Sequence, residues 1–152
     1  MIGIIAGSGY YELPGLLQRK DELFTNEYGE ATVSTGIWDN VAVAFVARHG
    51  GDHSIPPNAI NYRANIWALK DLGVERIIAV TAVGGITSLS SPGTTIIPHQ
   101  IIDYTYGREN TFFDGTVNSL EHIDFTQPYN SDLRTRLIEA AHKEKIKIIL
   151  ND

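Results

Sequence analysis

Cysteine is absent from the 152 residues, which removes disulfides, thiolate chemistry and Cys-ligated zinc from consideration. Long apolar runs are absent too: no stretch approaches the roughly 18 residues that a membrane span requires. The opening Met1-Ile2-Gly3-Ile4 lacks the basic start and small-residue cleavage pattern of a secretory signal. The expectation is a protein with no membrane partner that stays in the cytoplasm. Basic residues are scarce, with 12 Lys and Arg against 18 Asp and Glu and a formal net charge of −6. Nucleic-acid binding needs many cations on phosphates, so a polyanion partner is disfavoured and any anion site has to be local. Runs of like charge, low-complexity tracts and internal repeats are also lacking. What remains is an ordinary globular composition, 43% apolar and 20% charged, with enough apolar content for one core and one domain at most.

Along the chain, Ile2-Gly3-Ile4-Ile5-Ala6 is a short β-rich run ending in Gly7-Ser8-Gly9, which reads as a strand entering a tight turn. Residues 31–37 and 41–47 are β-rich and separated by Trp38-Asp39-Asn40, which predicts an antiparallel hairpin whose second strand delivers Arg48-His49-Gly50. Tyr62, Ile66 and Leu69 fall at helical spacing in residues 61–72, and Gly73 is a usual helix stop. Residues 76–83 read as a buried strand running into Gly84-Gly85, and residues 95–102, after the Pro92-Gly93 turn, as another. Residues 130–143 form a second predicted helix, capped by Asn130 or Ser131, with Leu133, Leu137 and Ala141 on one face. Residues 146–150 begin one more strand. The alternation predicts an α/β fold, a mixed central sheet flanked by helices. Its last strand, followed only by Asn151-Asp152, has no further element to cover it, so the chain reads as truncated.

Three strand ends carry polar or glycine-rich turns: Gly7-Ser8-Gly9, Arg48-His49-Gly50 and Thr81-Ala82-Val83-Gly84-Gly85. Ligands of α/β sheets bind at the carboxyl ends of strands, where small residues let backbone N–H groups approach an anion. Ser8 and Thr81 offer hydroxyls, Arg48 a forked charge suited to phosphate oxygens, and His49 or His53 a further donor. Each feature also has a plainer reading. Gly7-Ser8-Gly9 alone suits an ordinary tight turn, and it continues into Tyr10-Tyr11-Glu12, so it is neither a dinucleotide fingerprint nor a phosphate loop ending in Lys-Ser/Thr. Arg48, directly after an apolar strand, needs an anionic partner, which is either a ligand or an Asp or Glu. His49 and His53 have metal-binding spacing for a helix, but Gly50-Gly51 and Pro56-Pro57 argue against a helix there. Thr81 alone is a common sheet residue. The polar stretch 103–129 is long for a connection and carries Asp103, Arg108, Glu109, Asp114, His122 and Asp124. Asp103 ends a predicted strand and is open to a catalytic, capping or ion-pairing role. Tyr104, Tyr106, Phe112, Phe113 and Phe125 give the stretch apolar surface that suggests a subunit contact or a ligand wall.

The segment Ala47-Arg48-His49-Gly50, His53 and Asn61-Tyr62-Arg63-Ala64-Asn65-Ile66-Trp67-Ala68-Leu69-Lys70, with the start Ile4-Ile5-Ala6-Gly7-Ser8-Gly9, resembles the methylthioadenosine phosphorylase group of the nucleoside phosphorylases. Val83-Gly84-Gly85-Ile86, Pro98-His99-Gln100-Ile101-Ile102-Asp103-Tyr104-Thr105, Gly107-Arg108-Glu109 and His122-Ile123-Asp124-Phe125 look most like its S-methyl-5'-thioinosine branch. The resemblance covers essentially the whole chain and makes residues 1–152 the N-terminal part of a single nucleoside phosphorylase domain. It implies phosphorolysis of 5'-methylthio-purine nucleosides, a pentosyl transfer in purine salvage, with inorganic phosphate as co-substrate and no cofactor or metal. Ser8, Arg48, His49, Thr81 and Ala82 would form the phosphate site, Ala82 through its backbone. His122 would reach the 5'-methylthio pocket of a neighbouring subunit in a homotrimer. The family's base-recognising Asp or Asn, ribose-binding Met and a further phosphate Thr lie in a second half that these residues do not include. No catalytic residue is therefore assigned. Two alternatives stay open: a methylthioadenosine or general purine nucleoside phosphorylase, and a truncated product without activity.

Overall fold

The computed structural model describes residues 1–115 and 120–150. Two compact units divide the chain: Met1–Ala82 with Tyr106–Leu120, and Val83–Thr105 with Glu121–Asp152. The first is built on a five-stranded mixed sheet, in the order β2-β3-β4-β1-β5. Its strands are β1 (Ile2–Ala6), β2 (Leu17–Asn26), β3 (Gly29–Trp38), β4 (Val41–Ala47) and β5 (Arg76–Val80). β2, β3 and β4 form an antiparallel meander, whereas β1 lies parallel to both β4 and β5.

The predicted hairpin is present, with one refinement: Trp38 joins β3 and pairs with Val41, so the loop is only Asp39-Asn40. Both loop residues have positive φ, 48° and 63°, the conformation that a two-residue hairpin turn needs and that Asp and Asn tolerate. β2 has no counterpart in the sequence reading. It is an exposed edge strand rich in charge, Leu-Gln-Arg-Lys-Asp-Glu-Leu-Phe-Thr-Asn, and charge of this kind protects an edge from further pairing. β5 stops at Val80 instead of continuing to residue 83, because its partner β1 ends at Ala6, opposite Val80. β5 is also half-exposed rather than buried, as befits the other edge of the sheet.

Helix α1 (Tyr62–Asp71) packs on the β2–β3 side of this sheet. Asn61 caps it by accepting from the Ala64 amide at 3.0 Å, worth about 1 kcal/mol. Gly73, at φ 73°, closes its end, and the Gly73 and Val74 amides donate to Lys70 and Leu69 carbonyls at 2.9 and 3.0 Å. The stripe that α1 buries is Ala64, Ala68 and Leu69, not the larger Tyr62 and Ile66. These alanines let the helix lie close against Ala31, Val33, Ala44 and Val46, and together the seven form the core cluster. Asn61 and Asn26 fasten the β2–β3 turn to the helix: Asn61 Nδ2 donates to the Tyr28 carbonyl at 2.6 Å and Asn26 Nδ2 to the Ala64 carbonyl at 3.3 Å.

In the second unit, β6 (Thr95–Ile96) and β7 (Ile148–Ile149) make a parallel pair, and α2 (Ser131–Lys143) begins at Asn130, whose side chain accepts from the Leu133 amide at 2.8 Å. The helix matches its predicted span and cap. The strands are much shorter than the predicted 95–102 and 146–150: the Ile97 amide makes a last ladder bond to the Ile149 carbonyl at 3.0 Å, residues 98–102 form no strand, and Arg134 donates to the carbonyls of Ile97, Pro98 and Leu150. Asn151-Asp152, on which the reading of an uncovered last strand turned, lie outside the described residues.

Candidate functional site

The register of the three parallel strands builds the site. Ala6 of β1 is aligned with Ala47 of β4 on one side and Val80 of β5 on the other, so the next residues, Gly7, Arg48 and Thr81, emerge abreast at the strands' carboxyl ends. The Arg48 amide continues the ladder by donating to the Ala6 carbonyl at 3.0 Å. Its side chain then crosses Gly7 to the far strand, where Nη1 donates to the Val80 carbonyl at 2.9 Å and Nη2 to Thr81 Oγ1 at 2.8 Å. Gly7 is required for this crossing: a Cβ there would collide with the Arg48 guanidinium.

Of the two partners that its sequence position suggested, an acidic side chain or a bound anion, Arg48 does not use the first. Among the described residues no carboxylate pairs with it. Two neutral oxygens orient the guanidinium, and its charge stays uncompensated. Such a group is preorganised for an anion.

His49 is buried, at 7% exposure. Its Nδ1 lies 2.9 Å from the Ile55 carbonyl, an acceptor only, so Nδ1 carries the proton. In the neutral ring Nε2 is then an acceptor, able to take a hydrogen bond from a protonated oxyanion, and it donates only as imidazolium. This refines the expectation of a simple donor. The Ile55 amide returns a bond to the His49 carbonyl at 2.9 Å, and His53 donates its amide to the Gly50 carbonyl at 3.2 Å. Thus the loop after β4 is closed on itself, with the His49 and His53 rings 5.1 Å apart. Asp52 sits at its tip and accepts from the Ser54 hydroxyl at 2.6 Å and amide at 3.2 Å. The Ser54 hydroxyl, followed by its amide, holds the Asp52 carboxyl below the usual carboxylate range. The same Asp-x-Ser/Thr turn recurs at Asp103–Thr105 and Asp124–Thr126, which gives Asp103 a turn-forming role.

Ser8, Arg48, His49, Thr81 and Ala82 all line one open cavity of about 780 Å³, together with His53, Ser54, Tyr62 and Arg108. Two arginines, two histidines and four hydroxyl side chains face it, and among the described residues no carboxylate does, although the chain carries 18 acidic residues. A neighbouring cavity of about 550 Å³ includes Glu30 and Asp21. The Asp21 carboxyl is held low by hydrogen bonds from Arg19 and then Ser34. Charge thus distinguishes the two cavities, and the first suits an oxyanion.

His122 belongs to the second unit and is solvent-exposed. The aromatic stretch divides. Phe112 packs against Tyr28 and Trp67, at centroid distances of 5.1 and 5.9 Å, so it serves the interior, and Tyr104, Tyr106 and Phe125 are exposed. The sequence reading gave no role to Tyr62 or Arg108 in the cavity. Its signals for Arg108 are the long polar stretch that carries it and the Gly107-Arg108-Glu109 motif of the resemblance.

A mixed sheet whose parallel strands end in a cationic, hydroxyl-lined cradle is an α/β architecture suited to holding an oxyanion. The model of the Phosphorylase superfamily matches residues 1–149, and the chain belongs to this family. It is 49% identical to the 6-oxopurine nucleoside phosphorylase of Pyrococcus furiosus, over 92% of this chain and 54% of that protein. It is 44% identical to the "Probable S-methyl-5'-thioinosine phosphorylase" of Pseudomonas syringae, over 93% of this chain and 58% of that one. Among solved structures, methylthioadenosine phosphorylase from Schistosoma mansoni in complex with adenine superposes with a TM-score of 0.86 at 38% identity, covering 94% of this chain and 53% of that one. The chain therefore spans about half the length of the relatives it matches.

Proposed function

We propose that the protein is a purine nucleoside phosphorylase that cleaves 5'-methylthio-purine nucleosides, S-methyl-5'-thioinosine above all, to free base and 5-methylthioribose 1-phosphate. Phosphate is the co-substrate, and no cofactor or metal takes part. One observation carries the reading: a cavity at the ends of three aligned strands, holding an arginine that no carboxylate among the described residues pairs with or faces, in a chain of net charge −6.

A phosphate oxygen attacks the anomeric carbon while the bond from that carbon to the purine nitrogen breaks. The bonding pair leaves with the base, which takes up a proton. Positive charge grows on the sugar and negative charge on the base, so the protein's work is positioning and electrostatics. Arg48 and the Thr81 and Ser8 hydroxyls orient the nucleophile, the Ala82 backbone contributes to the cradle, and His49 Nε2 accepts from a protonated phosphate oxygen. Residues 1–152 act as the N-terminal part of one catalytic domain in a cytoplasmic homotrimer, where His122 reaches the 5' end of the nucleoside held by the neighbouring subunit.

The test is base release from methylthioinosine, methylthioadenosine and inosine, with and without phosphate, by the 152-residue chain and by a version extended to the relatives' length. Phosphate-dependent release with methylthioinosine preferred is the expected result, and release that ignores phosphate would overturn it. His122→Ala is expected to harm the methylthio substrates more than inosine. Because the chain spans half its relatives' length, a second outcome has its own support: phosphate binding without turnover by the 152 residues alone.

A further inference from the structure

Arg108 reaches the cavity from an irregular segment of the first unit. It is half-buried, and its guanidinium carbon lies over the Tyr62 ring, 5.3 Å from the centroid. Among the described residues it has no hydrogen bond or ion pair. The acids around it in sequence are engaged elsewhere. Arg63 of α1, whose side chain is 18% exposed, holds Glu109 at 3.2 Å and Asp114 at 2.8 Å and also donates to the Thr111 carbonyl at 3.3 Å. One arginine therefore gathers the segment's acceptors, and the other is left with its donors unspent. The clasp also fixes where the segment runs, because Glu109 is the residue next to Arg108.

We infer that Arg108 is a second cationic ligand of the phosphate group bound in this cavity, brought there by the Arg63 clasp; this rests on the reading of the cavity as a phosphate site. Two physical facts support it. A phosphate or phosphate monoester carries close to two negative charges near neutral pH, and Arg48 supplies one positive charge. Arg48 has also committed an N–H from each terminal nitrogen to Val80 and Thr81, whereas Arg108 retains all five. The Tyr62 ring holds the guanidinium by its face and leaves those in-plane donors available.

Calorimetric titration of the 152-residue chain with inorganic phosphate at low and high salt tests the inference, beside thermal unfolding without phosphate. Arg108→Gln is expected to weaken phosphate binding by about 10-fold and to flatten its salt dependence, with an unchanged phosphate-free unfolding midpoint. Arg108→Lys should recover part of the loss, because the charge returns without the fork. Arg63→Met should weaken phosphate in the same direction by loosening the segment. Binding by Arg108→Gln within about 2-fold of the parent would overturn the inference while leaving the phosphate site itself standing. A loss accompanied by a lower phosphate-free midpoint would also overturn it, since Arg108 would then be structural. A parent chain that binds no phosphate would overturn both readings.

Discussion

The two units of the chain hold themselves together on different terms. In the first, five strands and α1 enclose Val33, Val43, Phe45, Val46 and Leu69, all at 2% exposure or less. In the second, the strands are two residues long, and Ala141 is the only buried residue among those described. Ile86, Ile102, Tyr104 and Phe125 lie open there. The anion-ready side chains belong to the first unit and the proposed 5'-end residue His122 to the second. Arg48 and Thr81 stand at the ends of packed strands, and the residue proposed to work across a subunit boundary stands on loosely packed chain.

Core truncation should show the contrast most strongly. Leu69→Ala, at a fully buried position, is expected to cost about 2–5 kcal/mol, and Ile148→Ala in β7 less than about 1.5 kcal/mol, both measured by denaturant unfolding. Equal costs would erase the distinction. Next comes Arg48→Ala, expected to raise the phosphate requirement of the extended enzyme by about 100-fold with a much smaller effect on nucleoside affinity; an unchanged phosphate dependence would remove Arg48 from the site. Gly7→Ala sharpens the same point. The added methyl displaces the end of a flexible side chain, so phosphate binding should fall by about 10- to 100-fold while the unfolding midpoint stays within a few degrees.

The smallest effect concerns pH. The Asp52 carboxyl is held low by Ser54, so its contribution to the loop 49–55 is present above the ordinary carboxylate value and lost as pH falls through the lower folded one. NMR titration of the Ser54 amide should therefore show a midpoint below that of an unperturbed aspartate. Asp52→Asn should remove that transition and leave the core amides unaffected.

The parts of this molecule legible in sequence are those with local signatures. Asn61 and Gly73 bracket α1, Asn130 starts α2, and a glycine, an arginine and a threonine each follow an apolar β-run. β2 was illegible because an edge strand buries too little to show alternation: eight of its ten residues are exposed. Residues 95–102 were read as too long a strand for the opposite reason, since an apolar run does not reveal whether a partner exists. For Arg48 the sequence leaves a ligand or an acidic side chain open, and its protein contacts are a carbonyl and a hydroxyl 32 and 33 residues away. Strand order, not composition, brings these together. Arg108 depends on the clasp to Arg63, 45 positions earlier in the numbering, a relation no local pattern encodes.

The alignment of Ala6, Ala47 and Val80 makes the chain's tolerance of length changes uneven. Removing one residue inside β4 would turn every later side chain of that strand to the opposite face and bring His49 to the position from which Arg48 now reaches across Gly7. In β2, by contrast, the register already shifts between Leu17 and Lys20, and a bulge of that kind can absorb a residue without disturbing the strands beyond it. A single-codon deletion scan should therefore leave a gap in survivors over 41–47 and let them accumulate over 17–20.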